Sequence, residues 1–267
     1  MPPSSDLGRA LCIITGASRG FGRAVARDLS RLVQPGSVLV LAARSGDELR
    51  ALQAELTDSE AGRAGLKVQV AVADVGRTEG LEAIIRSAAE AFSENIDRVI
   101  LINNAASLGD VSRFTRSFTD MAEVDSYLSL NVSSSLCLTA RVLQAFPGHG
   151  GLRHTVVNVT SLCALQPFRS WVLYCTGKAA REMMFRVLAE EEPELRVLNY
   201  SPGEEDHSEE SSRRSIRSSL DSLSLKVYSG WTHLVCVTDL YHAKSTFRAN
   251  KCFILFIPHK NNPKAVF

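Results

Sequence analysis

The sequence predicts an α/β fold, a doubly wound parallel sheet with helices on both faces. Three observations lead there. Short, β-prone apolar runs alternate with longer stretches of helical periodicity through residues 10–200, the signature of strand–helix–strand units. The first run feeds directly into a glycine-rich loop and then a helical pattern. Polar residues able to do chemistry gather at the C-terminal ends of the apolar runs, where open parallel sheets bind ligands.

The first strand is expected at Ala10-Leu-Cys-Ile-Ile-Thr15, followed by Gly16-Ala17-Ser18-Arg19-Gly20-Phe21-Gly22 and a helix from Arg23 to Leu32. Glycines at this spacing let the backbone approach a pyrophosphate at the positive end of a helix. That makes Gly16, Ala17, Ser18, Arg19, Gly20, Phe21 and Gly22 candidate cofactor-binding residues. A second strand, Ser37 to Ala43, ends in Arg44 and Ser45. Where an acid would take the ribose hydroxyls of NAD, the cations of Arg44 and Arg19 suit a 2′-phosphate, so NADP(H) is the expected cofactor. The other reading gives the ribose to Asp47 or Glu48 and leaves Arg44 to solvent.

A third strand, Lys67 to Val72, leads to Asp74 and Val75. Asp74 either meets the adenine amine or caps the next helix, expected over 78–93. The fourth strand, Asp97 to Ile102, ends in Asn103-Asn104, a pair able to brace backbone beneath a cofactor. A long helix over 120–145 carries Asn131 in its middle. Asparagine is a mediocre helix former, so Asn131 is either a buried functional residue or a kink or surface position. The fifth strand, His154 to Thr160, delivers Ser161, and the sixth, Leu195 to Tyr200, ends in Ser201-Pro202-Gly203.

Thirteen residues after Ser161 comes Tyr174, and four later Lys178. On a helix this spacing puts both on one face. A lysine cation there favours the phenolate and is expected to lower the tyrosine pKa from its ordinary value of about 10. Tyr174 could then exchange a proton near neutral pH, with the Ser161 hydroxyl holding a substrate oxygen beside it.

Bulk properties narrow the field. The chain has 267 residues, 45% of them hydrophobic, enough for one large α/β domain. A net charge of +1 gives no electrostatic case for nucleic acid or an anionic membrane. No apolar run approaches the roughly 20 residues of a membrane helix, and the N-terminus lacks the pattern of a secretory signal. Six cysteines form no C-x-x-C pair and no zinc-ligand spacing. A cytoplasmic protein with reduced thiols and no metal is expected.

Thr15-Gly-Ala-Ser-Arg-Gly-Phe-Gly22, Asp74, Asn103-Asn-Ala105, Asn131, Ser161, Tyr174-x-x-x-Lys178 and Pro202-Gly203 together resemble the short-chain dehydrogenase/reductase family. One departure is Ala106, where the family usually has glycine. The resemblance implies a Rossmann-like fold and an NADPH-dependent oxidoreductase. It implies that Tyr174 donates the proton, Lys178 holds the nicotinamide ribose, Ser161 binds the substrate oxygen and Asn131 fixes a relay water. It further places Leu162 and Gly203 with Ser161 and Tyr174 at the substrate. Longer stretches, Leu101–Ser112, Ser161–Phe168 and Arg196–Gly203, are similar to a family member that reduces side-chain carbonyls of a pterin in tetrahydrobiopterin synthesis. This implies a small-molecule pterin substrate and a homodimer.

The resemblance covers about residues 7–203, so 1–203 is read as the NADP-binding domain and 204–267 as a divergent tail. Residues 204–224 hold eight serines in 21 positions, a composition that resists burial and is expected to be disordered. Six strands are recognisable, and the family's seventh has no match in the tail. The Cys252–Ile257 run is β-prone and could pair with the vacant sheet edge. Two functional readings stand: an active pterin or other carbonyl reductase, or an impaired isoform that binds cofactor or a partner without turnover.

Overall fold

The computed structural model describes residues 7–148 and 150–202, together with the backbone of 231–238 and 252–258. The elements run β1 (Ala10–Thr15), α1 (Gly20–Leu32), β2 (Val38–Ala43), α2 (Gly46–Thr57), a short α3 (Glu60–Arg63), β3 (Lys67–Val72), α4 (Thr78–Ala91) and β4 (Arg98–Asn103). They continue with α5 (Met121–Leu128), α6 (Ser134–Ala145), β5 (Arg153–Val159), α7 (Val172–Glu191), β6 (Arg196–Ser201), β7 (Trp231–Thr238) and β8 (Cys252–Pro258).

The strands form one sheet in the order β3-β2-β1-β4-β5-β6-β7-β8. Pairing is parallel from β3 through β7, and β8 lies antiparallel to β7. The chain first winds outward from β1 to β3 and then returns to β4 on the other side of β1. Strand order therefore reverses between β1 and β4, and ligand crevices of doubly wound sheets open at such a reversal.

Each central strand is buried on both faces, which is why its sequence reads as an unbroken apolar run. On β1, Cys12 and Ile14 pack with Leu29 of α1 and Leu49 and Leu52 of α2. Leu11 and Ile13 point the other way, toward Ile84 of α4, Leu138 and Val142 of α6 and Phe185 of α7. Burying each such side chain stabilises the fold by about 1.5–3 kcal/mol. Edge strand β3 alternates more, and Val72 at its end is half exposed.

Two expectations need correction. The sheet does not stop at six strands. Trp231–Thr238 takes the seventh position parallel to β6, and Cys252–Pro258 joins outside it rather than at the β6 edge. The 120–145 helix is not continuous α-helix either. A π turn over Ser129–Ser133 separates α5 from α6, with Asn131 buried inside it. One extra residue per turn breaks the regular ladder, a distortion common at functional sites. The serine-rich 204–224 segment lies outside the described residues. Among the described residues, no helix is long and apolar enough to cross a membrane.

Candidate active site

The floor of the crevice is made where the ends of β1 and β4 lock together. The Thr15 hydroxyl donates to the Ile102 carbonyl (3.2 Å) and accepts from the backbone N–H groups of Asn104 and Ala105 (3.0 Å each). The Asn104 amide donates to the carbonyls of Thr15 (2.8 Å) and Gly16 (3.3 Å). Gly16 has φ +68°, a left-handed conformation that glycine adopts without strain. At Gly22 a Cβ would fall 2.3 Å from the Gly16 carbonyl oxygen, so only glycine lets α1 start this close to the loop.

Above this floor lies a cleft of about 650 Å³. Gly16, Ser18, Arg19, Gly20, Phe21 and Gly22 line it from the glycine loop, Arg44 and Ser45 from the end of β2, and Asp74 and Val75 from the end of β3. Arg19 and Arg44 are exposed. The first turn of α1 contains no acid, so its positive end faces the cleft unneutralised. Asp47 and Glu48 do not line the cleft, whereas Arg44 does, and Asp47 is paired with Arg50 (2.6 Å). Asp74 faces the cleft, but its carboxylate accepts from the Gly76 N–H (3.0 Å). It turns the loop ahead of α4 and does not cap the helix, whose N-cap residue is Arg77.

Two of the expected cofactor residues stand elsewhere. Ala17 is fully buried beneath the loop, its N–H donating to the Ala42 carbonyl. The Asn103 side chain points away from the cleft, donating to the Thr139 hydroxyl of α6 (2.9 Å). Neighbouring strand residues face opposite sides of a sheet, so Asn104, not Asn103, supports the loop. Thr15 is the other structural member that the sequence reading left without a role. A hydroxyl at a strand end just before a glycine loop was the available signal.

The second group of candidates gathers beside the cleft, outside its lining. Ser161 follows β5, and its hydroxyl accepts from the Cys163 N–H (3.3 Å), starting a 3₁₀ turn over Leu162–Ala164 that carries the candidate Leu162. Tyr174 sits in the first turn of α7 and Lys178 one turn later. The Lys178 ammonium lies 5.5 Å from the Tyr174 ring centre and donates to the Val159 carbonyl (2.7 Å). Asn131 bridges the loop after β4 to α5: its Oδ1 accepts from Ser107 N–H (2.8 Å), and its amide donates to the Tyr127 carbonyl (3.0 Å). Both ends of this side chain are thus engaged with backbone. Gly203 lies outside the described residues.

The electrostatics correct a further expectation. Lys178 was expected to pull the Tyr174 pKa down, yet Tyr174 is pushed above its ordinary value. Burial is the largest cause, and only the Ser161 hydrogen bond and the Arg181 cation act downward. Lys178 itself is held well below the usual lysine range, first by burial and then by Arg181. A buried ammonium that donates to a neutral carbonyl loses much of its hydration, and desolvation disfavours its charged form. An aromatic run that the sequence reading did not single out completes the wall: Phe168 packs on Trp171 (5.7 Å), and Trp171 meets Tyr174 edge-on (5.7 Å, 83°). The group presents a half-buried phenol, a serine hydroxyl and two buried cations at the end of β5, a set suited to delivering a proton to a carbonyl oxygen.

Residues 10–213 match the short chain dehydrogenase family. The chain is 54% identical over 201 residues to the sepiapterin reductase of Meriones unguiculatus, covering 75% of this chain and 76% of that protein. It is 53% identical over 198 residues to the sepiapterin reductase of Bos taurus, covering 74% and 73%. Among solved structures it is similar to the L-sorbose reductase of Gluconobacter frateurii complexed with NADPH and L-sorbose, with a TM-score of 0.63 and 27% identity, covering 75% of this chain and 71% of that one.

Proposed function

We propose that this chain, which belongs to the short chain dehydrogenase family, is an NADPH-dependent oxidoreductase that reduces side-chain carbonyls of a pterin, as sepiapterin reductases do. The reading is supported above all by one contiguous stretch. More than half its residues are identical to those of two sepiapterin reductases, and the family match over residues 10–213 spans the glycine loop, Ser161, Tyr174 and Lys178.

The cleft residues fit the dinucleotide. The absence of side chains at Gly16 and Gly22 leaves a floor of backbone, and a Cβ at either would collide with Asn104. Arg19 and Arg44 would meet the 2′-phosphate, and the start of α1 the pyrophosphate. When bound, the cofactor supplies a hydride. The chain's own residues manage the proton: Tyr174 gives its phenolic hydrogen to the carbonyl oxygen, and the Ser161 hydroxyl donates a hydrogen bond to the same oxygen. Lys178, anchored on Val159, keeps positive charge near the phenolate that forms. The pterin belongs to tetrahydrobiopterin synthesis on this reading. The protein is read as a cytoplasmic homodimer, for which exposed Met121, Leu136, Met183 and Val187 on α5, α6 and α7 offer an apolar face.

A second reading has one observation in its favour: the relatives cover only about three quarters of the chain. It makes the protein a cofactor binder without turnover. The test is NADPH oxidation by the purified full chain with sepiapterin as substrate, beside direct NADPH titration. Turnover that drops at least ~10²-fold in Tyr174→Phe, with NADPH affinity kept, is the expected result. NADPH binding without turnover selects the second reading, and near-normal turnover in Tyr174→Phe overturns the assigned proton donor.

A further inference from the structure

Arg181 is 1% exposed and is among the largest fully buried side chains of the protein. It lies on α7 three residues past Lys178 and seven past Tyr174, which aligns all three along one side of the helix. Its guanidinium is held by neutral acceptors. Nε donates to Asn158 Oδ1 (2.8 Å), Nη1 to the Ala105 carbonyl (3.2 Å) and Nη2 to the Asn103 carbonyl. Asn158 is oriented in turn, donating to Asn199 Oδ1 (2.8 Å), and the Asn199 amide donates to the Glu182 carbonyl (3.4 Å). A chain of amides across β5 and β6 therefore turns an oxygen toward the guanidinium, while the end of β4 supplies two carbonyls.

Among the described residues no carboxylate forms an ion pair with Arg181 or counts among the groups that shift its titration. Burying a cation without a counter-ion is unfavourable, and an apolar side chain of similar volume would fill the space without that penalty. Each nitrogen of the fork nonetheless makes a hydrogen bond, so its position is fixed and its charge is not cancelled. It sits on the side of α7 that also carries Tyr174 and Lys178.

We propose that Arg181 is a positioning residue of the candidate active site, a fixed buried cation that stabilises the Tyr174 phenolate and crowds positive charge against Lys178. The inference rests on reading Tyr174 as the proton donor. Tyr174 is surrounded by groups that oppose its ionisation or stay neutral: Cys163 on the 3₁₀ turn, Cys175 on α7, and Tyr127 on α5, whose own titration Tyr174 pushes upward. Against these and against burial stand the Ser161 hydrogen bond and Arg181. Arg181 is pushed down to about 10 by burial and so stays charged at neutral pH. The same charge disfavours the protonated form of Lys178, which eases return of a proton from the lysine side to the phenolate.

The test reads tyrosinate absorbance in the near ultraviolet after a rapid pH jump, using the full chain without cofactor or substrate. The difference between the chain and its Tyr174→Phe variant isolates the Tyr174 titration. The measurement is repeated in Arg181→Gln, which keeps hydrogen-bond donors and drops the charge, and in Arg181→Lys, which keeps the charge and drops the fork. Arg181→Met serves as a second neutral variant. The Tyr174 midpoint is expected to move to higher pH in the neutral variants and to stay near the parent value in Arg181→Lys. An unmoved midpoint in the neutral variants overturns the proposal, as does an equal move in Arg181→Lys. A fold kept by Arg181→Lys and lost by both neutral variants also overturns it, leaving the cation a structural strut. The readout needs no turnover, so failure of the enzymatic reading would show separately, as intact Tyr174 titration in a chain that does not oxidise NADPH.

Discussion

On the β1–β2–β3 side of the reversal in strand order, Arg19 and Arg44 stand exposed at the lip of a polar cleft. On the β4–β5–β6 side, Lys178 and Arg181 are 5% and 1% exposed and bonded to neutral oxygens. The same sheet thus carries positive charge in two ways. Exposed cations keep their hydration, cost little to maintain and serve to select an anionic ligand. Buried cations give up hydration, and in return their field acts at short range through a poorly screening interior. On the proposed function the contrast separates recognition from proton chemistry, and each half should answer mutation accordingly.

The largest effect is expected on the buried side. Lys178→Met removes the ammonium beneath Tyr174 and should lower turnover at least ~10²-fold, the scale of a disabled proton-transfer group. The same change removes a desolvated charge, so chemical denaturation should show stability within about 1 kcal/mol of the parent. A large stability loss with turnover preserved would reverse the roles assigned to the two halves.

On the exposed side, Arg44→Asp should leave denaturation unchanged and weaken NADPH binding by about 1–3 kcal/mol, the scale of a lost charge-assisted hydrogen bond. NADH binding should suffer much less. Titration of both dinucleotides against parent and variant measures this, and equal losses would show that Arg44 does not read the 2′-phosphate.

The smallest effect concerns a surface cluster of three charges that belongs to neither function. Glu55 on α2 accepts from Arg27 (2.6 and 2.8 Å) and Arg23 (3.1 Å) on α1. These contacts, the Arg27 hydrogen bond foremost, hold its carboxyl below the ordinary value of 4.5. A depressed folded-state pKa contributes stability above the unfolded value and loses it as pH falls through the folded one. Glu55→Gln should therefore cost about 0.2–1 kcal/mol at neutral pH and nothing once the parent carboxyl is protonated. Urea denaturation at the two pH values checks it; a cost that persists in acid would mean packing rather than charge is lost.

Much of this site was legible beforehand. Strand, glycine loop and helix follow one another within 23 residues, and Tyr174 with Lys178 obeys helical spacing, so local rules sufficed for both. The glycines at 16 and 22 also spoke for themselves, because their backbone demands admit no other residue. The tail was harder. Trp231–Thr238 joins β6 as a seventh strand, although nothing in its sequence matched the family pattern, since strand pairing depends on a vacant edge far away in the chain.

By itself, the sequence determined the order of elements, the glycine loop between β1 and α1 and the helical pairing of Tyr174 with Lys178. These rest on periodicity and backbone sterics within a few residues of one another. Only the tertiary structure decided which of Asn103 and Asn104 faces the cleft, that Asn131 sits in a π turn, and that Arg181 is fully buried. It also reversed the expected sign at Tyr174. Helical spacing brings a lysine near a phenol, but whether the phenol's pKa falls or rises depends on how much water the surrounding strands and turns exclude, and that is a property of segments brought together from across the chain.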